Sequence, residues 1–142
     1  MLDLYMTLYV VPTAQGRARH AVINGKAMTY KSKRQKDNER ELELAMLKFK
    51  PQEPATRAIE IFVTAYMPIP RSKLKSEREA MRSTPTPHTC KPDLDNMLKN
   101  MLDALTRLGF WRDDSQVARI VAEKRYSACP RWEVHVVEFE TY

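Results

Sequence analysis

The chain has 142 residues, 43% of them hydrophobic, with a formal net charge of +6 and a pI of about 9.4. That suits one domain, residues 1–142, around one core. No apolar run is long enough to span a membrane, so no membrane partner is expected, and two cysteines (Cys90 and Cys129) build no disulfide framework, which fits a reducing cytoplasm. The basic balance favours a polyanionic partner, although many basic proteins bind no nucleic acid.

The first segment, MLDLYMTLYVV, carries an acid where a secretory leader would carry basic residues. Leu2, Leu4, Met6, Leu8 and Val10 alternate with Asp3, Tyr5, Thr7 and Tyr9, which predicts a half-buried strand ending at Pro12. Residues 16–36 then hold Arg17, Arg19, Lys26, Lys31, Lys33, Arg34 and Lys36 with no acid among them. Asn24-Gly25 within this run predicts a hairpin over residues 20–30. Positive charge without counter-charge favours phosphate contact over a merely solvated loop.

Ser32 caps a predicted helix over residues 32–49. Its apolar stripe is Leu42, Ala45, Met46 and Phe49, widened by Leu44 and Leu47, and Pro51 and Pro54 close the exit. Residues 58–66 read as a strand with Ile59, Ile61, Val63 and Ala65 on one face. Residues 71–91 carry Arg71, Lys73, Lys75, Arg78, Arg82 and Lys91 against Glu77 and Glu79. The first half suits a short helix capped by Ser72; the second, STPTPHTCKP, suits no regular structure. A basic flap steering DNA and a plain exposed loop both fit this segment. His88 and Cys90 lack the further ligands a zinc site needs, and as a general base His88 would be poorly placed on a mobile loop. His20 and His135 read as surface or edge residues.

Residues 91–117, KPDLDNMLKNMLDALTRLGFWRDDSQV, organise the rest. Leu94, Met97, Leu98, Met101, Leu102, Leu105 and Leu108 make one buried helix face. Asp93 stands at the N-cap and Gly109 at the C-terminal cap. Asp95, Lys99 and Asp103 line the opposite side. Asp93 and Asp95 flank the first turn, where two carboxylates repel unless a cation intervenes, and a hard ion such as Mg²⁺ accepts their oxygens. Asp113 or Asp114 would close a three-carboxylate site if the following strand returned beside the helix start. Lys99 is placed to neutralise charge developing at a phosphate. Capping, a surface ion pair and a turn would also account for these residues one at a time. Two strands follow, residues 116–126 and 131–140, joined by a turn at residues 128–130, with Trp132, Val134 and Val136 alternating in the second. The fold class expected is α+β: a mixed sheet with helices mainly on one face.

The Asp-x-Asp-Asn start, the Lys four residues after the second Asp, the Asp-Ala-Leu, the GFW turn and the DDSQV ending occur together at matching spacing. In this the stretch resembles the RusA family of Holliday junction resolvases, small phage and prophage endonucleases. GRARH before the hairpin and the basic segment before the motif resemble family features too. The resemblance implies a RusA-like fold and a homodimer acting on branched DNA in the cytoplasm, a host's if phage-encoded. It implies Asp93, Asp95 and Asp114 as catalytic metal-binding carboxylates for Mg²⁺, with Mn²⁺ as substitute, and Lys99 as catalytic lysine; no small-molecule cofactor is expected. Asn96, Asp103 and Asp113 are candidates for supporting roles. Arg17, Arg19, Lys26, Lys33, Arg71, Lys73, Lys75 and Lys91 are candidates for DNA contact. The expectation is two sites per dimer, each within one chain. A nuclease preferring flaps or forks, or a junction-binding protein without cleavage, are the rival functions.

Overall fold

The computed structural model describes residues 1–15 and 19–140. In order come β1 (Asp3–Leu8), β2 (Arg19–Ile23), β3 (Lys26–Tyr30), α1 (Lys33–Met46), β4 (Ile59–Pro68), α2 (Lys75–Ser83), α3 (Leu94–Leu108), β5 (Val117–Ser127) and β6 (Arg131–Glu138). Short 3-10 turns occupy Leu47–Phe49 and Asp114–Gln116. The architecture is α+β in one small domain.

Strand alternation decides where the core lies. In β4, Ile59, Ile61, Val63, Ala65 and Met67 are buried, and the residues between them through Tyr66 are half-buried. Met6, Leu8, Trp132, Val134 and Val136 continue that face across β1 and β6. Leu42 and Met46 of α1 and Met97, Met101, Ala104 and Leu105 of α3 cover it. α1 and α3 thus pack on one face of a four-stranded mixed sheet, ordered β1-β6-β4-β5.

The last two strands do not form a hairpin. β6 pairs antiparallel with β4, and β5 pairs parallel on β4's other side, so the turn after Ser127 arches over the end of β4. A parallel pair needs a long crossover. Here α2 and α3 supply it, which lays α3 antiparallel to β5 and leaves β5 at the sheet's edge. His135, expected at a surface or edge, lies half-buried on the outer face of an inner strand; its ring stacks on Tyr5 at 3.7 Å and meets Asp3 at 2.6 Å.

The hairpin forms as expected, with Asn24 (φ 52°) and Gly25 (φ 76°) both in the left-handed region that its tight turn requires. It makes a separate two-stranded sheet. At its root Lys31 donates to both Glu39 oxygens, at 2.8 and 3.1 Å, and Gln35 also bonds Glu39. These polar residues extend the buried stripe of α1, which runs Gln35, Glu39, Leu42, Met46. Leu44 and Leu47 fall off that stripe and are exposed, contrary to expectation, because α1 presents only one narrow face to α3 and β1. Ser32 does cap α1, accepting from the Gln35 N–H.

The flap helix starts later than expected: Leu74, not Ser72, is the N-cap of α2. The proline-rich half stays irregular but runs along the outer edge of β5. His88 donates its N–H to the Lys124 carbonyl, and Tyr126 donates to the Thr86 carbonyl. His88 is therefore buried and held in place rather than mobile.

Gly109 ends α3 in the left-handed region (φ 85°), its N–H bonding back to Leu105 and Thr106. A Cβ there would meet nothing nearer than Pro54 Cγ at 3.9 Å, so the cost of a side chain is conformational. Gly109→Ala should lower stability by about 1 kcal/mol in chemical denaturation; an unchanged midpoint would remove this account of the cap.

Candidate active site

Asp93 and Asp95 are exposed at the first turn of α3. Asp93 occupies the N-cap position, but its side chain makes no capping bond, contrary to expectation. Among the described residues neither carboxylate has a side-chain hydrogen bond or ion-pair partner. Two unbonded carboxylates at one helix start form an oxygen-rich pair suited to a hard divalent cation. Lys99 follows one turn after Asp95, and its ammonium lies 3.6 Å from Asp103. Asp103 also accepts from Gln15, at 2.8 Å. Asp103 thereby ties Lys99 and the segment after β1 to the same side of α3. Asn96 takes part through its backbone, accepting from the Gln15 N–H.

Several further residues, not conspicuous in the sequence, hold this end of the helix. Asn100 is buried and donates to the Thr13 carbonyl at 3.2 Å. Lys124 of β5 donates to the Cys90 carbonyl at 2.6 Å and the Pro92 carbonyl at 2.7 Å, gripping the loop that delivers Asp93. That loop contains the cis Lys91–Pro92 peptide. The signal for Lys124 was legible: it shares the core-facing register with Ile120, Ala122 and Tyr126, where alternation calls for an apolar residue. Burial first, and then the nearby Lys124 charge, hold the His88 imidazole below its ordinary range, so it stays neutral there.

The second acidic pair lies elsewhere. Asp113 caps the Asp114–Gln116 turn, accepting from the Ser115 N–H at 2.9 Å, while Gln116 accepts from the N–H groups of Arg112 and Asp113. That Ser115 N–H, then the Asp114 and Ser115 side chains, hold the Asp113 carboxyl below its usual range. Asp113 is thus engaged in shaping the turn, and Asp114 projects from it exposed. This turn follows the C-terminal end of α3, whereas Asp93 and Asp95 stand at the N-terminal end. The helix between them has 15 residues, about 22 Å at 1.5 Å per residue. The strand does run back along the helix, but Asp114 stands before its start, and it is Lys124 that bonds the Pro92 carbonyl. Among the described residues no group of three metal-ligating side chains comes together. The expectation of a site complete within one chain is therefore corrected: the chain places a pair at one end of α3 and the third carboxylate at the other.

Of the candidate DNA contacts, Lys26, Lys33, Arg71, Lys73, Lys75 and Lys91 are all exposed. Lys26 starts β3, Lys33 starts α1, Lys75 starts α2, and Lys91 lies beside the carboxylate pair. Arg17 lies outside the described residues, and Arg19 is described only as the first residue of β2. Arg71, Arg78 and Arg82 line a surface groove with Pro68, Ile69 and Pro130. Among the described residues, no helix is long and apolar enough to cross a membrane.

The chain is similar to several known proteins. The family model for Endodeoxyribonuclease RusA matches residues 10–137. An uncharacterized protein of Bacillus subtilis, YqaN, is 34% identical over 139 residues, covering 93% of this chain and 94% of its own. The crossover junction endodeoxyribonuclease rusA of Lactococcus phage r1t is 28% identical over 130 residues, 90% of this chain and 91% of its own. A crossover junction endodeoxyribonuclease RusA of Escherichia coli is 55% identical over 31 residues, 22% of this chain and 26% of its own. With a family match across nearly its whole length, the chain belongs to the RusA endodeoxyribonuclease family.

Proposed function

We propose that the protein is a structure-selective endodeoxyribonuclease that resolves four-way DNA junctions by paired symmetric nicks, acting as a homodimer in the cytoplasm with Mg²⁺, for which Mn²⁺ substitutes. The observation that carries this reading is the Asp93–Asp95 pair, exposed and without a side-chain partner among the described residues, with Lys99 one turn along. Carboxylates turned toward a polyanion weaken its binding unless a cation sits between them. A non-cleaving DNA-binding surface has no use for such a pair.

In this reading Asp93, Asp95 and Asp114 hold the cation. When bound, it supplies an activated water and a polarised scissile phosphate. Lys99 brings positive charge to the phosphate oxygens as charge builds there. Asp103 keeps that ammonium oriented, and Lys124 fixes the loop that carries Asp93. Exposed basic residues of the hairpin, of α2 and of the loop before α3 contact the backbone of the DNA arms. A four-way junction has approximate two-fold symmetry, so two matching cuts ask for two symmetric sites.

The test is incubation of the protein with a strand-labelled four-way junction and, separately, linear duplex of the same sequence. Junction nicks at symmetric positions, lost on chelation and restored by Mg²⁺, are expected. Equal cutting of duplex, or cutting that survives chelation, would overturn the reading; preference for flaps or forks would reassign the substrate.

A further inference from the structure

We infer that a cleft beside the loop into Asp93 takes one unstacked nucleobase of the DNA strand, read at its edge by Arg34 and Asn38. This rests on the nuclease proposed above and names a part of its substrate that the carboxylates do not contact.

The cleft holds about 410 Å³ and lies between the segment after β1, the start of α1 and Pro92. Small-ligand sites occupy roughly 300–1,000 Å³. One side is carbon, from Pro12, Ala14 and Pro92, and the other is polar, from Ser32, Arg34 and Asn38. Arg34 and Asn38 stand four residues apart in α1, so they project side by side. Among the described residues neither side chain has a hydrogen-bond or ion-pair partner, and no acid or aromatic ring lines the cleft.

The walls are fastened to the motif helix. Asn100 holds the Thr13 carbonyl at 3.2 Å, and Gln15 bonds the Asn96 carbonyl at 3.4 Å and Asp103 at 2.8 Å. Lys124 holds the Pro92 carbonyl at 2.7 Å. The cleft is therefore preformed, and Pro92 is the residue directly before Asp93. Consecutive Cα atoms are about 3.8 Å apart. A base seated here thus belongs to a nucleotide at or next to the phosphate that the carboxylates face.

The chemistry of the walls selects a base. A nucleobase has flat apolar faces and a hydrogen-bonding edge. Proline and alanine carbon suits the faces, while an amide that both donates and accepts, beside a forked guanidinium, suits the edge. A phosphate is the rival at a helix start, but here the Ser32 hydroxyl already takes the Gln35 N–H, and the carbon side gives an anion no partner. A stacked base cannot enter. Unstacking costs least for a base that is mismatched or already unpaired, and a branch point, where strands exchange partners, supplies such bases. Continuous duplex must first break a stack, so the cleft favours junctions over plain duplex.

The test places 2-aminopurine, in turn, at each position around the branch point of a four-way junction, with chelator present so that nothing is cut. Wild-type protein should brighten the probe severalfold at one position, because it leaves the stack and no aromatic ring in the cleft quenches it. The same probe in linear duplex should stay dim. Ala14→Leu/Asn38→Leu narrows the cleft from both sides and should abolish the brightening while gel shift still shows junction binding. Asn38→Ala, a milder change checked for folding by circular dichroism, should lower the brightening. With Mg²⁺ present, wild type should prefer one base at that position by about tenfold, as good edge contacts discriminate, and Asn38→Ala should level the preference. No brightening at any position, or brightening that persists in the double leucine variant, would overturn the proposal. Should wild type fail to cut junctions, the cleavage reading falls, while fluorescence under chelation still decides whether a base enters the cleft.

Discussion

Asp95→Asn should slow junction cleavage by about a thousandfold or more, equivalent to roughly 4 kcal/mol of barrier. Junction binding should be equal or tighter, because a negative charge facing phosphate has gone. The substitution keeps the side chain's shape, and Asp95 is exposed without a partner among the described residues, so folding should not change. This separates chemistry from scaffolding: thermal melting and gel-shift affinity stay level while single-turnover rate collapses. Lys99→Ala should likewise lose more rate than affinity, by a smaller factor, since Lys99 reaches the phosphate only through charge. A variant at Asp95 that cut at wild-type rate would remove this carboxylate from the reaction.

The second large effect is expected at a residue that touches neither water nor phosphate in this reading. Lys124→Ala should reduce cleavage by about 10- to 100-fold, the range seen when groups supporting metal ligands are removed. The ammonium bonds two carbonyls, those of Cys90 and Pro92, and no neutral side chain replaces both bonds. With them gone, the loop into Asp93 loses its fixed path. The Mg²⁺ concentration for half-maximal rate should rise, and raising Mg²⁺ should recover part of the loss; Lys124→Arg should rescue partly. A metal titration with an unshifted midpoint would limit Lys124 to general stability. The same substitution removes one of the two influences that hold His88 below its ordinary range, so His88 should titrate higher by NMR, though burial still holds it down.

Local patterns in the chain announced most of the scaffold. Asn24-Gly25, Ser32, Gly109 and the alternation in β4 and β6 each act through their own backbone or nearest neighbours, so their outcomes could be read residue by residue. Which strands lie side by side could not. β5 and β6 are joined by a short turn yet separated by β4, because the crossover through α2 and α3 is decided by packing between distant segments. The same limit applied to the acids. Spacing along the helix placed Asp95, Lys99 and Asp103 correctly on one side. Asp114 does not join them: β5 runs back along α3, but Asp114 stands before the strand begins, beside the C-terminal end of the helix. His88 and His135 looked unattached for a related reason: their partners, Lys124 and Tyr126 for one and Tyr5 and Asp3 for the other, come from far along the chain.

The contact between Lys31 and Glu39 has a mechanical meaning for the hairpin. Burial works against the Glu39 charge, but bonds from Lys31 and Gln35 outweigh it and hold the carboxyl below its usual range. Because that value is depressed, the stability this pair contributes is present above the ordinary glutamate range and is lost only as pH falls through the lowered value. The arm beyond it consists of two five-residue strands, roughly 17 Å long at 3.4 Å per residue. The Lys31–Glu39 contact therefore ties the base of the arm to α1, and that tie is lost only as pH falls through the lowered value.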